Sequence, residues 1–140
     1  MHETEDKVIM IDPEVKALWV AALRSGEYAQ AQGVLNDLAT NAYCCLGVLC
    51  ELAIKDGVKV NKVVLKVEYG SGKPRDMSAY DLEEFSLPDQ VKDWAGFPSN
   101  DVIGVDIALN TLTTLNDGDD ADPIRPHSFA EIADWIEENL

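Results

Sequence analysis

Residues 44–55 constrain the fold more than any other stretch of the chain. Cys45, Leu46, Val48, Leu49, Cys50, Leu52, Ala53 and Ile54 spread apolar groups around a helical cylinder, and only Glu51 and Lys55 interrupt them before Asp56-Gly57 ends the run. A helix that is apolar on nearly all sides has no face to offer to water, so the other elements must cover it. The expectation is a buried central helix.

The flanking segments can supply that cover. Asp12-Pro13-Glu14 combines an N-cap, a proline in the first helical turn and an early carboxylate. Val15, Leu18, Trp19, Ala22 and Leu23 follow at helical spacing as far as Ser25-Gly26, which predicts an amphipathic helix. Residues 28–40 show weak alternation, a glycine at Gly33 and the turn-prone pair Asn36-Asp37, and read as an extended segment and loop. From residue 58 to 69 the chain is rich in β-branched residues: Val63, Leu65, Val67 and Tyr69 alternate with Lys62, Lys66 and Glu68, and only Val64 breaks the order. With a turn over residues 70–75 and a returning strand over 76–80, this predicts a β-hairpin. Pro88 opens a short helix that carries Val91 and Trp94 and stops at Gly96. Residues 102–115 fit two periods, because Val105 and Ile107 alternate while Ala108, Leu109, Leu112 and Leu115 keep helical spacing. Residues 116–125 read as an acidic loop, and Ser128-Phe129-Ala130-Glu131 as a capping box opening a last helix lined by Phe129, Ile132, Ala133, Ile136 and Leu140. The predicted class is α+β: about four helices around the buried central one, with a small antiparallel hairpin or sheet. Residues 1–10 form a polar tail and residues 11–140 one globular domain, long enough to bury roughly two-thirds of its unfolded surface.

Charge restricts the function classes. The net charge is −15, and it is uneven: residues 1–75 hold nine basic and ten acidic groups, whereas residues 76–140 hold sixteen acidic groups against Lys92 and Arg125 alone. Such a surface repels phosphate, so direct nucleic-acid binding is not expected, and basic surfaces or cations are the complementary partners. No run approaches the ~18 apolar residues of a membrane span, and the first residues are acidic where a signal peptide is basic. Cys44, Cys45 and Cys50 make no secreted disulfide framework and read as thiols of a reducing cytoplasm.

Several clusters invite a chemical reading, and each has a plainer one. The three cysteines with His127 as base could form a nucleophilic site, but free cysteine on the most apolar segment behaves as a small hydrophobe. A Cys-Cys-x4-Cys spacing does not suit zinc, since adjacent helical residues cannot face one ion. Gly70-Ser71-Gly72-Lys73-Pro74 lacks both ends of a phosphate loop and suits a hairpin turn. Asp117, Asp119, Asp120 and Asp122 resemble the start of a calcium loop without its turn glycine or its bidentate glutamate. No metal or cofactor is expected. Glu137 and Glu138 occupy the last turn of the final helix, where the helix dipole disfavours them. They are explained by an acidic face for a partner or by a merely soluble end.

Four stretches taken together resemble a family of small proteins common in tailed-bacteriophage genomes. They are residues 18–30 (Leu-Trp-Val-Ala-Ala-Leu-Arg-Ser-Gly-Glu-Tyr-Ala-Gln), residues 43–53 with their Tyr-Cys-Cys-Leu-Gly-Val-Leu-Cys run, Leu115-Asn116-Asp117, and residues 128–137 with Ser-Phe-Ala-Glu-Ile-Ala-Asp. The resemblance implies a phage origin and the bacterial host cytoplasm, and no reaction. In that family the segment after Asn-Asp is usually shorter, often little more than Ser-Gly-Lys, so the added Asp119, Asp120 and Asp122 are particular to this chain. Within the matched motifs, packing accounts for the apolar residues and accounts poorly for Arg24, Tyr28, Gln30, Asn116 and Asp117. These five are the candidate binding residues. Their structural alternative is that Tyr28 and Gln30 satisfy backbone near the first helix end and that Asn116-Asp117 builds a turn.

The function expected is that of a non-enzymatic phage accessory protein, binding a host protein or small molecule to modulate host machinery or defence. Two alternatives stand beside it. One is an acidic DNA mimic that inhibits a DNA-binding host protein, and the other a small enzyme using Cys44, Cys45 or a carboxylate such as Asp117.

Overall fold

The computed structural model describes residues 10–68, 74–119, 121 and 124–140. Among them are five helices and five strands in the order α1 (Pro13–Ser25), β1 (Ala29–Gln30), β2 (Asn36–Asp37), β3 (Ala42–Tyr43), α2 (Cys45–Lys55), β4 (Lys62–Glu68), β5 (Pro74–Tyr80), α3 (Asp89–Ala95), α4 (Val102–Asp117) and α5 (Phe129–Asn139). The chain is therefore α+β. Most of the polar tail at residues 1–10, residues 70–73 of the expected turn, and Asp120 and Asp122 of the acidic loop lie outside the described residues, while Pro74 and Arg75, expected in the turn, already pair within β5.

The strands form one mixed sheet in the order β1-β3-β2-β5-β4. Only β1 and β3 run parallel, and β4 pairs antiparallel with β5 from Lys62↔Tyr80 to Glu68↔Pro74. β5 is paired on both edges, by β2 and β4, and Met77, Ser78, Ala79 and Tyr80 are buried in succession, so the end of the strand is covered on both faces. Val64, the residue out of phase in β4, is exposed.

α2 is the element predicted from its all-round apolar character, and its residues Cys45 to Cys50 are buried without a break. It packs against α1, α3, α4 and β3, while α5 reaches the core through α1 and α4. Trp19, fully buried, fastens α1 to it by donating its indole N–H to the Cys45 carbonyl at 3.0 Å. The start of α2 touches the chain at Leu35, where the Cys44 N–H donates to the Leu35 carbonyl at 3.2 Å. A methyl group on Gly47 would overlap that same carbonyl, which explains a glycine inside a helix at this point.

α1 begins as its sequence signals require: the Asp12 carboxylate accepts from the Glu14 and Val15 N–H groups, and Gly26 closes the helix in the left-handed region at φ 79°. Its buried arc is rotated from the expected stripe. Leu18 is half exposed and Val20 is buried instead, because α1 is held between α2 and α5 and not on a single neighbour. Gly96 ends α3 at φ 88° and lies so close to the Asp12 backbone that a Cβ would come within 2.7 Å of the Asp12 nitrogen. There the Asp12 N–H donates to the Ala95 carbonyl, joining α3 to the start of α1.

Residues 102–117 resolve as one helix, N-capped by the Asp101 carboxylate on the Gly104 N–H, with Val105, Ala108, Leu112 and Asn116 facing inward. The capping box of α5 is formed as expected by Ser128 and Glu131. No helix among the described residues is long and apolar enough to cross a membrane.

Candidate functional site

Asn116 ends the inward stripe of α4, and it is fully buried. An amide there must find partners for two donors and an acceptor, or cost about 1–3 kcal/mol for each buried group left unpaired. Every group is matched. Its Oδ1 accepts from the Cys45 N–H at 3.2 Å and from the Gln30 side chain at 3.0 Å, and its Nδ2 donates to the Ala31 carbonyl at 2.7 Å and to Asp117 Oδ1 at 2.9 Å. Gln30 also donates to the His127 carbonyl at 2.8 Å, and Asp117 accepts from the Gly33 N–H at 3.0 Å.

Gln30, Asn116 and Asp117 are thus brought together from residues 86 apart in sequence into one knot. The knot ties the end of α4 to the first turn of α2, to the 30–33 segment and to the approach to α5. Asn116 and Asp117 belong to the last helical turn and do not build a free-standing turn. A cavity of about 230 Å³ opens beside the knot, lined by Gly33, Val34, Cys44, Phe85, Thr113 and Asp117. Its walls are apolar except at Asp117 and Thr113.

The other two candidates lie elsewhere. Arg24 bridges α1 to α5 through Asp134 at 2.6 Å and Glu137 at 2.8 Å, and those hydrogen bonds, that to Glu137 foremost, raise its pKa. Glu137, which the helix dipole disfavours, gains a cation there, and its carbonyl accepts from Lys16 at 3.1 Å. The Tyr28 hydroxyl meets the Lys55 ammonium at 3.0 Å instead of backbone, and its ring stands edge-on to Tyr43 with centroids 5.5 Å apart.

Cys44, Cys45 and Cys50 are all buried free thiols. Burial pushes the Cys44 thiol up to about 11 and holds Cys45 and Cys50 well above their ordinary value. Cys44 instead caps α2, its sulfur accepting from the Gly47 N–H at 3.4 Å, and the Cys45 thiol donates to the Leu112 carbonyl at 3.7 Å. His127 Nδ1 lies 3.0 Å from the Arg125 carbonyl oxygen, and no hydrogen bond among the described residues links it to a thiol. A thiol needs a low pKa and access to act as a nucleophile: Cys45 and Cys50 have neither, and Cys44, although it borders the cavity beside the knot, is buried and has its pKa raised. Among the described residues no three His, Cys, Asp or Glu side chains gather in a way that could hold a metal ion.

Two polar clusters escaped the sequence reading. Glu51 accepts from the Tyr80 hydroxyl and from Lys62, both at 2.7 Å, and Lys62 lies over the Tyr43 and Tyr80 rings at 5.9 and 5.4 Å. Burial, followed by the bond to Glu51, raises the Tyr80 pKa. The signal was Glu51 itself, the lone carboxylate on the apolar cylinder. Asn36, also fully buried, donates to the Ala42 carbonyl and accepts from Ser78 Oγ at 2.6 Å, and nothing local marked it as different from a turn residue.

A family model described as "Domain of unknown function (DUF8296)" matches residues 11–140. The chain belongs to this family. The DUF8296 match spans all five helices and the whole sheet, so the knot, the cavity beside it and the capped α2 all lie inside the family domain. No curated protein and no solved structure matches the chain.

Proposed function

We propose that this DUF8296 protein is a non-catalytic accessory protein of a tailed bacteriophage that binds a host protein in the bacterial cytoplasm and modulates its action. One observation carries the reading: the chemically capable side chains of the shared motifs are engaged within the fold. Gln30, Asn116 and Asp117 bond to one another and to backbone, the thiols are buried and protonated at neutral pH, and Arg24 is held by two carboxylates. Among the described residues no buried side-chain nitrogen or oxygen lacks a partner, so there is no orphaned polar group awaiting a small polar substrate. What remains for function is surface, and the surface is acidic. Affinity capture from bacterial lysate with the tagged chain is expected to retain a defined host protein. Recovery of no specific partner, or turnover of any substrate in a hydrolase and transferase panel, overturns the proposal.

A narrower reading is DNA mimicry, favoured by the sixteen carboxylates of residues 76–140. It requires that binding to a basic host protein weaken steeply with salt and be competed by duplex DNA. Salt-indifferent binding excludes it.

A further inference from the structure

α4 breaks a packing rule on its outward side. Val102, Ile103 and Ile107 are 63%, 76% and 61% exposed, although nothing in the core requires three large β-branched residues there. Ile103 and Ile107 are neighbours one turn apart, and both Ile103 and Val102 neighbour Asp106 at i, i+3 and i, i+4. This apolar crest stands beside a groove. Val102 joins the two, since it also lines a hollow of about 310 Å³ that shares Lys92 and Asp106 with a second of about 170 Å³, which in turn shares Phe85 and Thr113 with the cavity beside the Asn116 knot. The three hollows follow one flank of α4 from Val102 to Asp117, about 22 Å at the rise of an α-helix. That is the length of four helical turns.

The rim is acidic. Asp89, Asp93 and Asp106 border the hollow of about 310 Å³. Lys92, its one cation, lies 3.3 Å from Asp89, and Arg125, the other cation of residues 76–140, is bound to Glu131 at 2.6 Å. Asp93 and Asp106 form no ion pair with a described cation. Resting on the reading of the chain as a protein binder, we infer that the α4 groove and crest take an amphipathic helix of a partner protein, its apolar face laid against Val102, Ile103 and Ile107 and its Lys or Arg side chains reaching the Asp93 and Asp106 rim. Charge complementarity selects this occupant. A second copy of the chain would bring the same carboxylates face to face across a two-fold axis, and a nucleic acid would meet them with phosphate. A basic helix answers both the apolar crest and the acidic rim.

The test uses a fluorescent sixteen-residue peptide of leucine and lysine arranged at helical period, with a scrambled peptide of the same composition as control. Wild-type chain is expected to bind the periodic peptide at least tenfold more tightly than the scrambled one. The double variant Ile103→Ser, Ile107→Ser, checked by circular dichroism for an unchanged fold, is expected to lose at least tenfold in affinity. Asp93→Asn with Asp106→Asn is expected to weaken binding and flatten its salt dependence. Equal binding of both peptides, no binding of either, or an unaltered Kd in the isoleucine variant overturns the inference, as does a wild-type dimer in sedimentation that the isoleucine variant abolishes. Lysate capture with the same variant separates the two proposals. A partner retained by both proteins refutes the groove and leaves the binder standing, whereas a partner captured by neither refutes the binder.

Discussion

Replacing Asn116 with alanine tests whether the motif's polar residues build the fold or recognise a ligand. The side chain is fully buried and makes four hydrogen bonds. Truncation strands the Cys45 N–H and the Ala31 carbonyl in the interior, each costing about 1–3 kcal/mol, and removes one partner each from Gln30 and Asp117, which keep the His127 carbonyl and the Gly33 N–H. The lost amide also leaves a small void. The expected destabilisation is about 3–5 kcal/mol, a large share of the roughly 7–20 kcal/mol that a chain of this length commands. Urea unfolding followed by tryptophan fluorescence measures it directly: the midpoint falls at constant m-value, since the surface exposed on unfolding is unchanged. Asp117→Asn is the control, because an amide oxygen still accepts from Gly33 and Asn116, and it is expected to lose less than about 1 kcal/mol. If Asn116→Ala lowers stability by less than about 1 kcal/mol, the knot is not structural, and recognition becomes the better reason for that residue.

Gly47→Ala drives a methyl group into the Leu35 carbonyl and is expected to destabilise by about 1–3 kcal/mol or more, read by the same urea titration, whereas Gly57→Ala meets no neighbouring atom and is limited to the strain of its positive φ. The three thiols are expected to stay unmodified by an aromatic disulfide reagent at pH 8 in the native chain and to react at once in denaturant; rapid native labelling of Cys44 would reopen a thiol mechanism. Glu131 is held down to about 2, chiefly by its hydrogen bonds with Arg125 and then by the Ser128 N–H. Its folded value lies below its unfolded one, so its contribution is complete above the unfolded carboxylate range near ~4.3 and disappears as pH falls toward the folded value. Thermal unfolding from pH 6 to 2.5 is expected to show a shallower acid loss in Glu131→Gln than in the wild type.

How far the sequence discloses this molecule depends on whether a residue's partner is near in the chain. Asp12-Pro13, Pro88, Gly96 and the Ser128-Glu131 box act on their own helix ends, and each ends or begins a helix where the sequence predicts. The β4–β5 hairpin is equally local, and the burial of α2 follows from its composition alone. Asn116 is different, because its partners at Cys45, Ala31 and Gln30 are 71, 85 and 86 residues away, and its type by itself suits a turn as well as a core. Arg24 and Tyr28 were selected by the same argument as Gln30, and long-range contacts carried them to an α1–α5 clamp and to Lys55.

The ambiguity of residues 102–115 has a physical cause that bears on function. A helix with a water-facing side of polar residues shows a sharp 3.6-residue period, and Val105, Ala108 and Leu112 supply its inward half. On the outward half, Ile103 and Ile107 take positions that solubility would assign to polar groups, while Asn116 puts an amide on the apolar stripe. Both substitutions erode the periodic signal from opposite sides. The amide is accounted for by four hydrogen bonds inside the fold, and the isoleucines by none. The residues that blurred the helix are therefore divided between one that the fold requires and two that it does not. The described fold leaves that pair uncovered, and the partner helix proposed above would cover it on the outer side of α4, away from the knot beneath.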